Sequence, residues 1–106
     1  MASGRLGTAN LLATTITDVY TVPASTLTSL NVNICNRNNA VARIRIALSS
    51  VSVTQGNDEY IEFDTTIEAY GILERTAVLL GAGQILTVYS DIADLSVVAT
   101  GIEETV

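Results

Sequence analysis

The sequence contains no histidine, no lysine and no tryptophan, and it has one cysteine, Cys35, and one proline, Pro23. Without histidine there is no Ser-His-Asp or Cys-His catalysis and no imidazole metal ligand. A single cysteine forms neither an intrachain disulfide nor a thiolate zinc site. The sequence also has no Gly-rich phosphate-binding loop. These absences point to a protein that is not an enzyme and needs no cofactor.

Charged residues are also scarce, at 15% of the chain. All five basic residues are arginine, and the formal net charge is −6. Because phosphate backbones and anionic lipid surfaces attract basic proteins, we expect neither nucleic acid nor a membrane as a partner. No apolar run approaches the ~20 residues that a membrane-spanning helix needs.

Apolar residues, in contrast, are plentiful: 48% of the 106 residues are hydrophobic, and the mean hydropathy is +0.41. An apolar, weakly charged chain of this length is expected to bury part of its surface against copies of itself or a partner, since obligate interfaces resemble a core cut in half. The composition therefore predicts a homo-oligomer.

The fold class follows from side-chain alternation. Residues 29–36 and 40–50 alternate apolar and polar side chains with a period of two, which is typical of strands with one buried face. The inward-facing residues are predicted to be Leu30, Val32, Ile34, Ala42, Ile44, Ile46 and Leu48. About eight such short strands, with turn signals at roughly 8–12-residue spacing, predict an all-β protein with a single antiparallel β-sandwich, either jelly-roll or Ig-like.

We expect this sandwich to occupy residues 9–106. Residues 1–8 are small, polar and Gly-containing, which predicts a flexible N-terminal arm. The alternative is an arm that becomes ordered against a neighbouring subunit, with Arg5 and Leu6 in the contact.

The stretch expected to organise the sheet is a β-hairpin. Two apolar runs, Ile72–Leu80 and Ile85–Ser90, are separated by Gly81-Ala82-Gly83-Gln84. Runs of this length joined by a short Gly-containing loop favour a hairpin. We therefore predict that these two strands pair at the centre of a sheet.

Four charged residues in strands are candidate interface residues. Arg43 and Arg45 share the outward face of one strand, where they either pair with carboxylates across strands or anchor a subunit interface. Glu74 and Arg75 are adjacent in an otherwise apolar strand, so they point to opposite faces. At least one of them is expected to meet a partner across a strand or across a subunit boundary.

The acidic residues between positions 58 and 68 are Asp58, Glu59, Glu62, Asp64 and Glu68. The expected role is a charged, solvated rim that discourages strand pairing at a sheet edge. A calcium site is the alternative, and carboxylate catalysis a more remote one. The calcium-loop pattern D-x-[DN]-x-[DN]-G is missing.

Several segments resemble small structural proteins of tailed bacteriophages. They are Gly4-Arg5-Leu6-Gly7, Val19-Tyr20-Thr21-Val22-Pro23-Ala24, Asn31-Val32-Asn33-Ile34-Cys35-Asn36-Arg37, Asp58-Glu59-Tyr60-Ile61-Glu62-Phe63-Asp64, Gly71-Ile72-Leu73-Glu74-Arg75-Thr76 and Gly101-Ile102-Glu103-Glu104. Together they span nearly the whole chain. Proteins of this kind are β-sandwich modules on capsids, necks, tails or fibres.

The resemblance implies a non-enzymatic virion protein, made in the cytoplasm of a host bacterium. A capsid decoration or cement protein is the first expectation, acting as a homo-oligomer (a trimer as the first guess) on the major capsid protein or other virion proteins. The 1–8 arm and one strand edge are expected to make that contact. The alternatives are a neck, tail, baseplate or fibre component, and a host-surface glycan-binding module.

Overall fold

The strand pattern is realised throughout the computed structural model, which describes residues 3–106. These residues form eight strands and no helix: β1 (Ser3–Leu11), β2 (Thr15–Thr21), β3 (Thr26–Asn36), β4 (Ala42–Ser49), β5 (Tyr60–Ile67), β6 (Ile72–Leu80), β7 (Ile85–Ser90) and β8 (Leu95–Thr105). Within residues 3–106 there is accordingly no helix that could span a membrane.

Two four-stranded antiparallel sheets make up the protein. The first sheet has the order β1-β8-β3-β6, and the second has the order β2-β7-β4-β5. Strand pairs therefore join β1 with β8, β2 with β7, β3 with β6 and β4 with β5. The four pairs are those of one long hairpin whose tip is the β4–β5 connection. This hairpin is folded so that its strand pairs alternate between the two sheets, which is the jelly-roll arrangement. The predicted antiparallel β-sandwich is confirmed, in its jelly-roll form.

The core lies between the two sheets and is built from alternate residues of each strand. On β3, Leu30, Val32 and Ile34 are fully buried, as predicted. On β4, alternation buries Ala42, Ile44 and Ile46 in the same way and leaves Leu48 half-buried against the core. The period of two in the sequence therefore identified both core-facing rows correctly.

The predicted hairpin of Ile72–Leu80 with Ile85–Ser90 is wrong. These strands are β6 and β7, and they lie in different sheets: β6 is the edge strand beside β3, while β7 lies between β2 and β4. The intervening loop crosses from one sheet to the other, and its Gln84 carbonyl accepts a hydrogen bond from the Val22 amide at 2.9 Å. A tight Gly-containing turn specifies a chain reversal, but the same reversal can join two sheets as well as two neighbouring strands.

The predicted 1–8 arm also differs from the structure, since residues 3–8 lie in β1 and pair with β8; residues 1 and 2 lie outside the described part of the chain. Leu6 is half-buried and packs against the core. The small residues that suggested an arm serve a close approach instead. A Cβ at Gly7 would lie 2.3 Å from the Val19 carbonyl oxygen of β2, so glycine lets the two edge strands meet.

The outer faces of the two sheets differ in their cover. The β4–β5 connection, residues 50–59, folds over the second sheet. There the Gln55 side-chain amide donates to the Arg45 and Thr87 carbonyls, each at 3.3 Å, and Asp18 accepts a hydrogen bond from the Val53 amide at 2.8 Å. We call residues 50–59 the cover loop. The outer face of the first sheet has no such cover among residues 3–106.

Candidate protein interfaces

An arginine–aromatic cluster lies on the second sheet beside the cover loop. The Arg45 guanidinium donates from Nε to Asp64 Oδ1 at 2.6 Å. Its Cζ lies 4.4 Å from the ring centroid of Phe63 and 5.1 Å from that of Tyr89. Tyr60 packs edge-on against Phe63, with centroids 4.8 Å apart. A cation over two rings, held by an ion pair, fixes a rigid surface feature.

Strand irregularity explains how neighbouring residues reach the same arginine. Phe63 and Asp64 are adjacent, so in a regular strand they would point to opposite faces. The β4–β5 register shifts between Ile44 and Ile46, and Asp64 takes a positive φ of 52°. Such a bulge re-aims side chains, and here it brings both residues to Arg45. Tyr89 reaches it by direct pairing of β7 with β4.

Electrostatics keep this ion pair charged. The hydrogen bond from Arg45 lowers the pKa of the Asp64 carboxyl, against a smaller opposing effect of burial, and the positive charge of Arg43 lowers it further. The same hydrogen bond raises the pKa of Arg45. Because Phe63 is 56% exposed, the cluster presents an aromatic surface that a partner can cover.

The remaining predicted interface residues lie at separate places. Arg43 is exposed on β4, two residues before Arg45. Its backbone amide donates a hydrogen bond to Asp91 Oδ1 at 2.8 Å. Arg75 donates to Glu62 at 2.7 Å, which ties the edge of the first sheet to the edge of the second. Arg75 thus has a partner, but that partner lies across the sandwich and within the chain.

Arg5 and Glu74 are both exposed on the outer face of the first sheet, near its opposite edges. On the same face, on the side of the Arg5 row away from Glu74, a shallow groove of about 330 Å³ is lined by Leu27, Ser29, Leu79, Ile102 and Glu104. Three of these side chains are exposed and apolar. Sequence reasoning missed this groove, because its lining comes from strands distant in the chain.

The acidic residues from 58 to 68 do not form a metal site. Glu59 accepts hydrogen bonds from the Gly56 and Ser50 amides at 2.8 and 2.9 Å, and these bonds lower its pKa, with that from Gly56 the stronger influence. Glu62 and Asp64 pair with different arginines. Across residues 3–106 no group of three or more His, Cys, Asp or Glu residues is placed to hold a metal ion.

A buried polar cluster joins the two sheets near one end. The Tyr20 hydroxyl donates to the buried Glu103 carboxyl and lies 2.8 Å from the Thr28 hydroxyl. Burial, followed by the hydrogen bond with Glu103, raises the pKa of Tyr20. The cluster lies inside the sandwich and has a structural role, since a buried polar group needs hydrogen-bond partners.

Sequence reasoning also missed Phe63, Tyr60 and Tyr89. With no tryptophan and only five aromatic residues, the sequence gives little indication of an aromatic platform, yet three of the five gather around Arg45. The signal that reveals the cluster is the pairing of Arg45 with Tyr89, which requires the non-sequential neighbours β4 and β7 to be known.

Comparison with protein-family models finds no match for this chain, and comparison with curated protein sequences finds none either.

Proposed function

We propose that this protein is a non-enzymatic structural protein of a bacteriophage virion, and specifically a capsid decoration protein that acts as a homo-oligomer. The proposal rests on the resemblance of the sequence segments to phage structural proteins. It is supported by a jelly roll, an architecture that viral capsid domains share with lectins and cupins. Since one fold serves many functions, the surface must carry the functional argument.

The structural observation that carries the proposed protein contact is the Arg45–Asp64–Phe63–Tyr89 cluster. Arginine and aromatic residues are enriched at the centres of protein interfaces, where they contribute most of the binding energy. Here they are preorganised by an ion pair and by ring contacts, so little side-chain entropy is lost on binding. We place the capsid contact on this cluster. It replaces the contact through a 1–8 arm, because residues 3–8 belong to β1.

Binding of this kind stabilises the shell by mass action. A protein that binds the assembled, expanded capsid better than the unassembled subunits shifts the equilibrium towards the assembled state. No bond is made or broken, and the protein needs only a rigid surface and enough copies. The abundance of β-structure with few charged residues suits that task.

The experiment is cosedimentation of the protein with capsids that lack it, comparing the wild type with Phe63→Ala. We expect Phe63→Ala to weaken capsid binding at least about tenfold, the loss typical of an interface anchor. Tyr70→Ala is the matched control, because Tyr70 is 70% exposed but lies outside the cluster. Equal binding by both variants and the wild type would remove the cluster from the contact.

Binding to isolated necks, tails, baseplates or fibres but not to capsids would move the protein to that part of the virion.

A host-surface glycan-binding role is the second candidate function, and it is favoured by the three aromatic rings that lie together around Arg45. Arg45 already occupies the faces of Phe63 and Tyr89, which leaves little open ring surface for a sugar. Glycan-array binding that Phe63→Ala abolishes would establish this second function.

A further inference from the structure

We infer that the outer face of the first sheet binds the same face of a second copy, around a two-fold axis parallel to β3 and β8. This inference deepens the proposed function, since it assigns the self-association surface that a homo-oligomer requires. It departs from the trimer expected from the sequence. The face is formed by outward residues of β1, β8, β3 and β6, and we call it the open face.

The residues of the open face fall into rows set by strand register. The end row is Leu27 and Glu104, and the row beside it is Ser3, Ile102, Ser29 and Leu79; the next is Arg5, Thr100 and Asn31, opposite the Thr76–Ala77 bulge. Then come Thr8, Val98, Asn33 and Glu74, and finally Asn10, Ser96, Cys35 and Ile72. The side chains are mostly small, with exposed Leu79, Ile102 and Ile72 standing above them.

A two-fold axis parallel to the central strands makes these rows self-complementary. Rotation places β8 over β3 of the second copy and β1 over β6, with each row facing itself reversed. Ile102 then lies over Ser29, Val98 over Asn33, and Leu79 over Ser3 of the other copy. Large apolar side chains thus meet small ones, which is the interdigitation that packed sheets require.

Charge complementarity selects this arrangement. Within one copy, Glu74 and Arg5 lie on opposite edges of the sheet and in different rows, more than about 14 Å apart across three strand spacings, so they cannot pair. The only ion pairs within residues 3–106 are Arg45–Asp64 and Arg75–Glu62. In the two-fold dimer, Glu74 lies over Thr8 of the other copy, whose neighbouring rows carry charge of the opposite sign.

Those neighbouring charges are Arg5 in the row before Thr8 and Arg37 in the row after it. Arg37 is held on the open face by hydrogen bonds from its guanidinium to Asn10 and Ser96. Glu74 of one copy therefore lies between two arginines of the other, and the axis repeats the contact. The other acidic residue of the open face is Glu104, which lies over Leu27 of the other copy and one strand from the other copy's Glu104, at the exposed end of the interface.

The area also suits a dimer. Four strands about 4.8 Å apart and about nine residues long at about 3.3 Å each give a face of roughly 600 Å² in projection. Because side chains project from the sheet, the accessible area of the face is larger than its projected area and approaches the roughly 800 Å² that each partner buries in a stable complex. The second sheet offers no equivalent, because the cover loop occupies part of its outer face.

The test is sedimentation equilibrium of the full chain, with Glu74→Arg, Arg5→Glu and the double variant carrying both changes. We expect a wild-type dimer, a dissociation constant raised at least about tenfold by either single change, and recovery in the double variant, since the pair is restored with reversed sign. Glu68→Arg, an exposed residue elsewhere, is the control for net charge and is expected to leave the dimer unchanged.

A second readout uses the single exposed cysteine. The two Cys35 side chains lie in facing rows one strand apart in the dimer, so a short bis-maleimide is expected to link the wild-type copies and not those of Glu74→Arg. A monomer, a trimer, or a dimer indifferent to Glu74→Arg would overturn the two-fold inference. Cosedimentation of Glu74→Arg with capsids distinguishes this dimer from the proposed capsid contact. The variant is expected to lose the dimer while its Arg45 cluster is unchanged, so its capsid binding tests the cluster alone.

Discussion

Asn36 is buried and fully hydrogen-bonded, although its sequence context indicates an exposed turn residue. Its place before Arg37-Asn38-Asn39 indicates a turn residue, yet its side chain is fully buried. The side-chain amide donates to the carbonyls of Ala40, Ile67 and Glu68 at 2.9, 3.2 and 3.1 Å. Its carbonyl oxygen accepts a hydrogen bond from the Asn38 amide at 2.9 Å. One amide thus ties the β3–β4 connection to the end of β5.

Asn36→Asp tests this arrangement with almost no change in shape. An aspartate cannot donate to the three carbonyls, and it leaves an unpaired charge in a buried site. We expect a loss of about 3–5 kcal/mol in the free energy of unfolding at neutral pH, measured by urea denaturation. Asn39→Asp, at an exposed position in the same turn, is the control and should stay within about 0.5 kcal/mol of the wild type.

Asp64 gives a pH-dependent prediction at the same scale. Its pKa is lowered in the folded protein by the hydrogen bond from Arg45, so the pair adds stability above the pKa of the unfolded chain, about 3.9. That contribution is lost as the pH falls through the lowered, folded pKa. Wild type should therefore be more stable than Asp64→Asn at pH 7, with the difference shrinking below about pH 4.

The measurement is the urea midpoint of both proteins from neutral to acid pH. Asp58→Asn, at an exposed position in the cover loop, corrects for the change in net charge. A difference between wild type and Asp64→Asn that persists unchanged at the acid end would show that the pair owes nothing to the ionised carboxyl.

At the scale of elements, the sequence predicted the strands better than their partners. Alternation identified β3 and β4 and their buried rows, because a period of two is a local property of the chain. Pairing is not local: β6 and β7 are consecutive but belong to different sheets. For the same reason, the sequence predicted one residue of the Arg45 cluster and missed its aromatic residues. Arg45 was named as an outward-facing candidate, whereas Phe63 reaches it only through the β5 bulge.

β1 provides the sharpest element-scale test. The sequence predicts a flexible arm over residues 1–8, in which Gly7→Ala would change nothing. In the structure an added Cβ meets the Val19 carbonyl oxygen at 2.3 Å, and a backbone atom cannot move aside cheaply. We expect Gly7→Ala to lower the free energy of unfolding by about 1–3 kcal/mol, the cost of overpacking.

Gly81→Ala is the matched control for this substitution. Gly81 has an ordinary negative φ, and its added Cβ would meet only the Gln84 side chain at 3.5 Å. A Gly7→Ala protein as stable as Gly81→Ala would contradict the close approach of β1 to β2 described above. Deleting residues 1–8, in contrast, would remove two thirds of β1, so it would not separate folding from binding.

At the scale of the whole molecule, the two outer faces have different proposed roles, one in capsid binding and the other in self-association. The second sheet carries the Arg45 cluster and the cover loop, and the first sheet carries the open face. Because the sheets are back to back, a capsid contact on one side leaves the other side available to a second copy. The low charge and high apolar content of the chain predicted association of some kind, but composition carries no information on where the apolar residues lie.

The most direct test of the proposed function is cosedimentation of the purified protein with capsids that lack it, before and after expansion of the shell. Saturable binding to expanded shells alone, at a fixed ratio to the capsid subunit, is the result expected of a decoration protein. Absence of binding to both forms would contradict a capsid role, and the Arg45 cluster would then require a partner elsewhere in the virion or on the host surface.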